Sequence, residues 1–149
     1  RRGAARSALQ FAVAEAHRPD EPGSPFHNGF RSFECWIADI EAGRVASERN
    51  LGYTNSLVAE ARKAAGAYVL ELASDYSGKT AEQLKKAGDC YAREVAALEK
   101  LANMFPERGR AQTDLSDPQV QKEVADLVRE AYSWEKKGVT LLEQALTQM

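Results

Sequence analysis

The chain has 149 residues, of which 44% are hydrophobic and 28% charged, and a net charge of −2. These values fit one globular domain with a sizeable core and argue against nucleic acid or an anionic membrane surface as the main partner. No run of about twenty apolar residues is present, and the start lacks the apolar core of a signal peptide, so no membrane association and a cytoplasmic location are expected.

A first short helix is expected over residues 4–17, where Leu9, Val13 and Ala16 recur at helical spacing with Phe11 and Ala12 beside them. Arg18-Pro19 stops it, and the Asp-Glu-Pro-Gly-Ser-Pro run at 20–25 reads as loop. The second helix is placed from Ser24-Pro25, a cap followed by proline at the first helical position, with a start at Asn28 as the alternative. Phe26, Phe30, Phe33, Ile37 and Ile40 step 4-3-4-3 along it, and Gly43 is its natural stop.

Residues 51–76 contain no proline and read as the central helix. Thr54, Val58, Ala61, Ala65, Val69, Leu72 and Tyr76 form one stripe. Ala59, Ala64, Ala67, Leu70 and Ala73 spread apolar surface around the other sides, so neighbours are expected on more than one flank. Gly66 costs roughly 1 kcal/mol relative to alanine in mid-helix, which points to the close approach of another helix. Thr80 to Gln83 fits a capping box for a fourth helix carrying Leu84, Ala87, Tyr91, Val95, Leu98 and Ala102, closed by Phe105-Pro106. After a charged loop over residues 107–115, Asp117-Pro118 opens a last helix with Val120, Val124, Leu127, Ala131, Trp134, Gly138, Leu142 and Ala145 on its stripe. No strand pattern competes. The fold class is all-α: an antiparallel bundle of four long helices plus a short N-terminal helix, a single domain over residues 1–149. With Arg1 rather than methionine at the first position, a domain cut from a longer polypeptide or a processed product is the expectation, and a complete chain is the alternative.

Chemistry is sparse. His17 and His27 are the only histidines, and neither follows a Glu-x-x spacing of the kind a di-iron bundle uses. Zinc ligands cannot be assembled from adjacent positions, so no metal and no cofactor is expected. Cys35 and Cys90 show no CxxC pairing and read as reduced, inert thiols. No nucleophile elbow, phosphate loop or dinucleotide motif occurs. The basic run Arg1, Arg2 and Arg6 reads as a solvated terminus, and Lys85-Lys86 and Glu135-Lys136-Lys137 as solvated faces.

The polar set at the start of the central helix, Tyr53, Asn55, Glu60 and Arg62, has two readings. The plainer one is a core rim with satisfied aromatics and solvated charges. The sharper one is a small-molecule pocket between helices two, three and four, with Trp36, Tyr53, Asn55, Glu60, Tyr91 and Trp134 as candidate residues.

Several stretches are familiar together: ALQFAVAEAH at 8–17, FHNGFRSFECWIADIEAG at 26–43 with its Gly29-x6-Trp36 spacing, GYTNSLVAEARKAAGAYVLELA at 52–73, LANMFP at 101–106, and the segment at 115–146. The chain resembles the helical region that follows the catalytic domain in bacterial proteins related to butirosin biosynthesis protein H and papain-like peptidases. The resemblance implies a non-catalytic binding or interaction domain, accessory to a papain-like cysteine hydrolase or acyltransferase. The catalytic cysteine and histidine would then lie in a preceding domain, so no catalytic role passes to Cys35 or Cys90. The alternative is a stand-alone small-molecule-binding bundle with its pocket near Trp36 and Tyr53. An enzyme using Glu60 and Tyr53 as an acid–base pair ranks last. The expected partners are a cysteine-nucleophile domain or a small-molecule ligand, and a homodimer stays open.

Overall fold

Five helices and no strand occur among the described residues of the computed structural model, which are 2–45, 47–106 and 113–149. They are α1 (Arg2–Ala16), α2 (Gly29–Glu41), α3 (Glu48–Ala73), α4 (Gly78–Met104) and α5 (Pro118–Leu146). Arg1 and residues 107–112, most of the expected charged loop, lie outside the described residues.

Local chemistry sets the ends. The Asp117 side chain accepts a hydrogen bond from the Gln119 amide at 2.8 Å, with Pro118 opening α5. Ser47 does the same for α3 through the Asn50 amide. The Gly43 backbone is left-handed at φ +65°, as expected of a stop after α2. α3 runs Glu48–Ala73, three residues earlier at each end than the expected 51–76, and the starts of α2 and α4 also differ from the sequence reading. Asn28, the alternative, holds the N-cap position of α2 without a side-chain capping bond, whereas Ser24 accepts from the Phe26 amide within the preceding loop and Phe26 is exposed. At α4 the capping box at Thr80 does not form. Gly78, at φ +60°, turns the chain into the helix two residues earlier, and Thr80 and Gln83 are buried in its first turns. Gln83 Nε2 instead donates to Gln144 Oε1 at 3.2 Å.

Packing makes α4, not α3, the central helix. α4 lies against α3 on one side and α5 on the other, while α1 and α2 pack on α5. One apolar cluster joins Phe33, Ile37 and Ile40 of α2 to Leu51 and Ala59 of α3, Leu98 and Leu101 of α4, and Val124 and Val128 of α5. A second joins Ala5 and Leu9 of α1 to Val69 and Leu72 of α3, Leu84 and Ala87 of α4, and Leu142 and Ala145 of α5. The early part of α3 therefore shares a cluster with the late part of α4 and the early part of α5, so α4 runs antiparallel to both. The two short helices divide a fourth position between them. At 1.5 Å per residue α1 and α2 span roughly 22 and 20 Å, together about the length of α4, roughly 40 Å.

The two short helices meet end to end. A Cβ on Gly29, whose φ is +49°, would lie 2.2 Å from the Ala16 carbonyl oxygen, so the last carbonyls of α1 abut the first residue of α2. Asp20 secures the intervening loop by accepting from the Asn28 amide at 2.8 Å, with His27 Nδ1 2.6 Å from its other oxygen. α3 is an unbroken rod through Gly66, where an added Cβ would meet Tyr91 Cβ at 3.3 Å; the expected close neighbour is α4. Coverage of several flanks is not observed. Ala59 is buried, but Ala67 is exposed and Leu70 is 48% exposed. The inner face is Leu51, Asn55, Ala59, Gly66, Val69 and Ala73, which puts the expected stripe off by less than one residue's step around the helix, roughly 100°.

A charged layer and two cavities as the candidate functional site

That rotation brings Arg62 inward. At mid-bundle its guanidinium meets one glutamate from each of the other two long helices. Nε donates to Glu135 Oε2 at 2.8 Å and to Glu94 Oε1 at 3.2 Å, and Nη2 donates to Glu135 Oε1 at 2.9 Å. The Glu94 side chain is fully buried and that of Glu135 nearly so, whereas Arg62 keeps 26% of its side chain exposed. The two-pronged grip on Glu135 holds the guanidinium plane in one orientation.

One cation faces two carboxyl groups here, an imbalance that favours a proton on the buried pair. Glu94 is pushed up to about 9, first by burial, then by the charge of Glu135, against the pull of Arg62. Glu94 Oε2 is buried with no hydrogen-bond partner, a costly position for a charged oxygen. Burial alone would lower Arg62, but the charges of Glu135 and Glu94 outweigh it and raise it. Tyr91 lies beside the triad, and burial raises its phenol far above the ordinary range.

Two cavities meet at Arg62. A chamber of about 340 Å³ lies at the α1–α2 junction, lined by Ala12, Glu15, Gly29, Tyr91, Glu135 and Val139 among others, with Arg62 in its wall. The break in the fourth helical position creates this space. An open groove of about 450 Å³ runs between α2 and α3, lined by Ser32, Phe33, Trp36, Thr54, Leu57, Val58, Ala61 and Arg62. Ser32, Phe33 and Arg62 belong to both. Thr54, Val58 and Ala61, expected in the core, thus face this groove.

Of the six candidate residues, Trp36 lines the groove and Tyr91 the chamber. Asn55 is fully buried beneath α3, its Nδ2 donating to the Leu51 carbonyl at 2.6 Å and its Oδ1 unpaired. Tyr53 is 51% exposed, and Glu60 is an exposed partner of Lys63 at 2.8 Å. Trp134 sits half-buried between Arg93 and Lys137, whose charged groups lie 4.8 and 4.2 Å from its ring. Glu135, expected on a solvated face, is instead a core residue. The signal that could have found the triad is positional. Glu94 and Glu135 each fall where the 3-4 spacing of their helix calls for an apolar residue, whereas Arg62 lies one step off the apolar stripe of α3. Tyr132 also went unremarked, yet it stacks on Phe33 at 5.3 Å and donates to Glu34 at 3.0 Å, joining α5 to α2.

Both cysteines are free thiols. Among the described residues no group of three or more His, Cys, Asp or Glu side chains is placed to hold a metal ion, and no helix is long and apolar enough to cross a membrane. No family model matches the chain, and no curated protein or solved structure matches it. None of these comparisons links it to the papain-like proteins.

Proposed function

We propose that the protein is a non-catalytic helical bundle that binds a small amphiphilic molecule along the α2–α3 groove, with the polar end at Arg62. The observation that carries this reading is the position of Arg62, anchored by two buried carboxylates yet left partly exposed at the end of an apolar groove. Drug-sized sites have this composition, a mostly apolar wall with a few fixed polar groups, and a volume of about 450 Å³ falls within their range. A purely structural role for the triad is the weaker explanation, because apolar residues of similar volume serve stability as well or better. The test is a thermal-shift screen of small amphiphiles with neutral, anionic and cationic heads, read alongside Trp36 fluorescence in a Trp134→Phe background. Binding to the native state raises the melting temperature and changes Trp36 emission. A screen in which no compound does either defeats the proposal.

A second reading, the interaction domain, draws on Tyr53, Leu57 and Tyr68, which line the outward side of α3 at 51%, 52% and 43% exposure, with Phe11 exposed on α1. Clustered exposed apolar residues mark association surfaces. Sedimentation velocity tests self-association through this face: a concentration-dependent dimer that Tyr68→Glu abolishes favours it, and a monomer at every concentration counts against the homodimer.

A further inference from the structure

Resting on the ligand-binding reading, we infer that the occupant of the groove is a small carboxylate with an apolar body, its carboxylate on the free edge of Arg62 and its body against Trp36, Leu57 and Val58. Charge is the first support. Among the described residues lining the groove Arg62 is the one charged side chain, and Ser32, Thr54 and the Trp36 indole supply the other polar groups. An amine head would meet the guanidinium with no acid in the groove to offset it, whereas an anionic head is complementary.

Donor geometry is the second. Glu94 and Glu135 engage Nε and Nη2, and Nη1 takes part in none of these contacts. The unused donors belong to a side chain that is partly exposed and walls the groove. A guanidinium suits a planar carboxylate, and this one is already immobilised by Glu135, so little rotamer freedom is lost on binding. Ser32 Oγ donates to the Gly29 carbonyl at 2.6 Å, which leaves Thr54 and the Trp36 indole as the groove's other side-chain donors.

The charged and titratable groups that face Arg62 are Glu94 and Tyr91 from α4, Glu135 from α5 and, across the chamber, Glu15 from α1; the α2 residues in the groove are uncharged. While Glu94 is protonated, Arg62 faces one carboxylate in the triad and can take a second from the ligand. Once Glu94 ionises at alkaline pH, the ligand's anion is repelled. Affinity for a carboxylate therefore falls through that range, and Glu94→Gln, which mimics the protonated acid, keeps it.

The experiment titrates Trp134→Phe protein with octanoate, octanol and octylamine at pH 7, following Trp36 fluorescence. Octanoate is expected to bind at least tenfold more tightly than the other two, to weaken at least tenfold between pH 7 and pH 10, and to lose most of that weakening in Glu94→Gln. Arg62→Gln is expected to erase the preference. If that variant does not fold, the Glu94→Gln pH profile still decides. Equal binding of the three probes, tighter octylamine binding, or the same pH profile in Glu94→Gln overturns the carboxylate assignment while leaving a binding groove in place. Failure of all three probes to bind overturns both.

Discussion

Replacing Glu94 with glutamine probes the charged layer through stability alone. The native carboxyl is raised from an ordinary 4.5 to about 9, chiefly by burial and by Glu135. Between those values the folded protein binds more protons than the unfolded chain, so Glu94 lowers stability progressively as pH rises from about 4.5 to about 9. Glutamine keeps the shape, still accepts from Arg62, and has no proton to lose. One pKa unit corresponds to about 1.4 kcal/mol, which sets a ceiling of roughly 6 kcal/mol. Water entering from the chamber and local relaxation reduce this to about 2–3 kcal/mol by pH 9. At 2–4 °C per kcal/mol for a domain of this size, Glu94→Gln should melt roughly 5–10 °C above the parent at pH 9 and within about 2 °C of it at pH 4. Calorimetry or circular dichroism across pH 4–10 reads the difference directly, since the other carboxylates are common to both proteins. A gap that stays constant with pH, or one that closes as pH rises, would refute the shared proton.

Other substitutions separate close approach from open space. Gly52→Ala places a Cβ 1.8 Å from the Phe105 carbonyl oxygen and should destabilise by about 3 kcal/mol or more, whereas Gly138→Ala meets nothing nearer than 3.5 Å and should gain up to about 1 kcal/mol from helix propensity; denaturant melts of the pair check both. Burial raises the Cys90 thiol despite Lys137 nearby, and Cys35 is less buried. In a thiol-reagent time course Cys35 should therefore react first, and Cys90 only as the protein unfolds. Breaking the triad with Arg62→Met strands the buried Glu135 carboxylate beside Glu94 and should cost about 3–5 kcal/mol at pH 7 in denaturant melts.

Helix existence was legible because capping and periodicity are local. Asp117-Pro118 and the Phe33, Ile37, Ile40 stripe carry their own instructions, and these hold in the structure. The rotation of α3 was not legible in the same way. Thr54, Val58, Ala61 and Ala65 make a continuous small apolar stripe, while the true inner face contains Asn55 and Arg62, residues that burial normally excludes. Arg62 is tolerated inside because Glu94 and Glu135 reach it from helices 32 and 73 residues away in sequence, a pairing that no local pattern encodes. Trp36, named from the sequence as a pocket candidate, lines the groove between α2 and α3. Trp134 misled because its spacing fits the α5 stripe, yet flanking Arg93 and Lys137 give its ring a partner at the surface.

The most direct test of a binding groove at Arg62 fills the groove without touching the triad. Ala61 lines it and is exposed, so Ala61→Phe adds bulk there at little cost to folding. In the Trp134→Phe background, isothermal titration with octanoate should show the parent binding and the Ala61→Phe protein, with unchanged helix content, losing at least tenfold in affinity. Undiminished binding by the filled variant would place the ligand elsewhere and contradict the groove as the site.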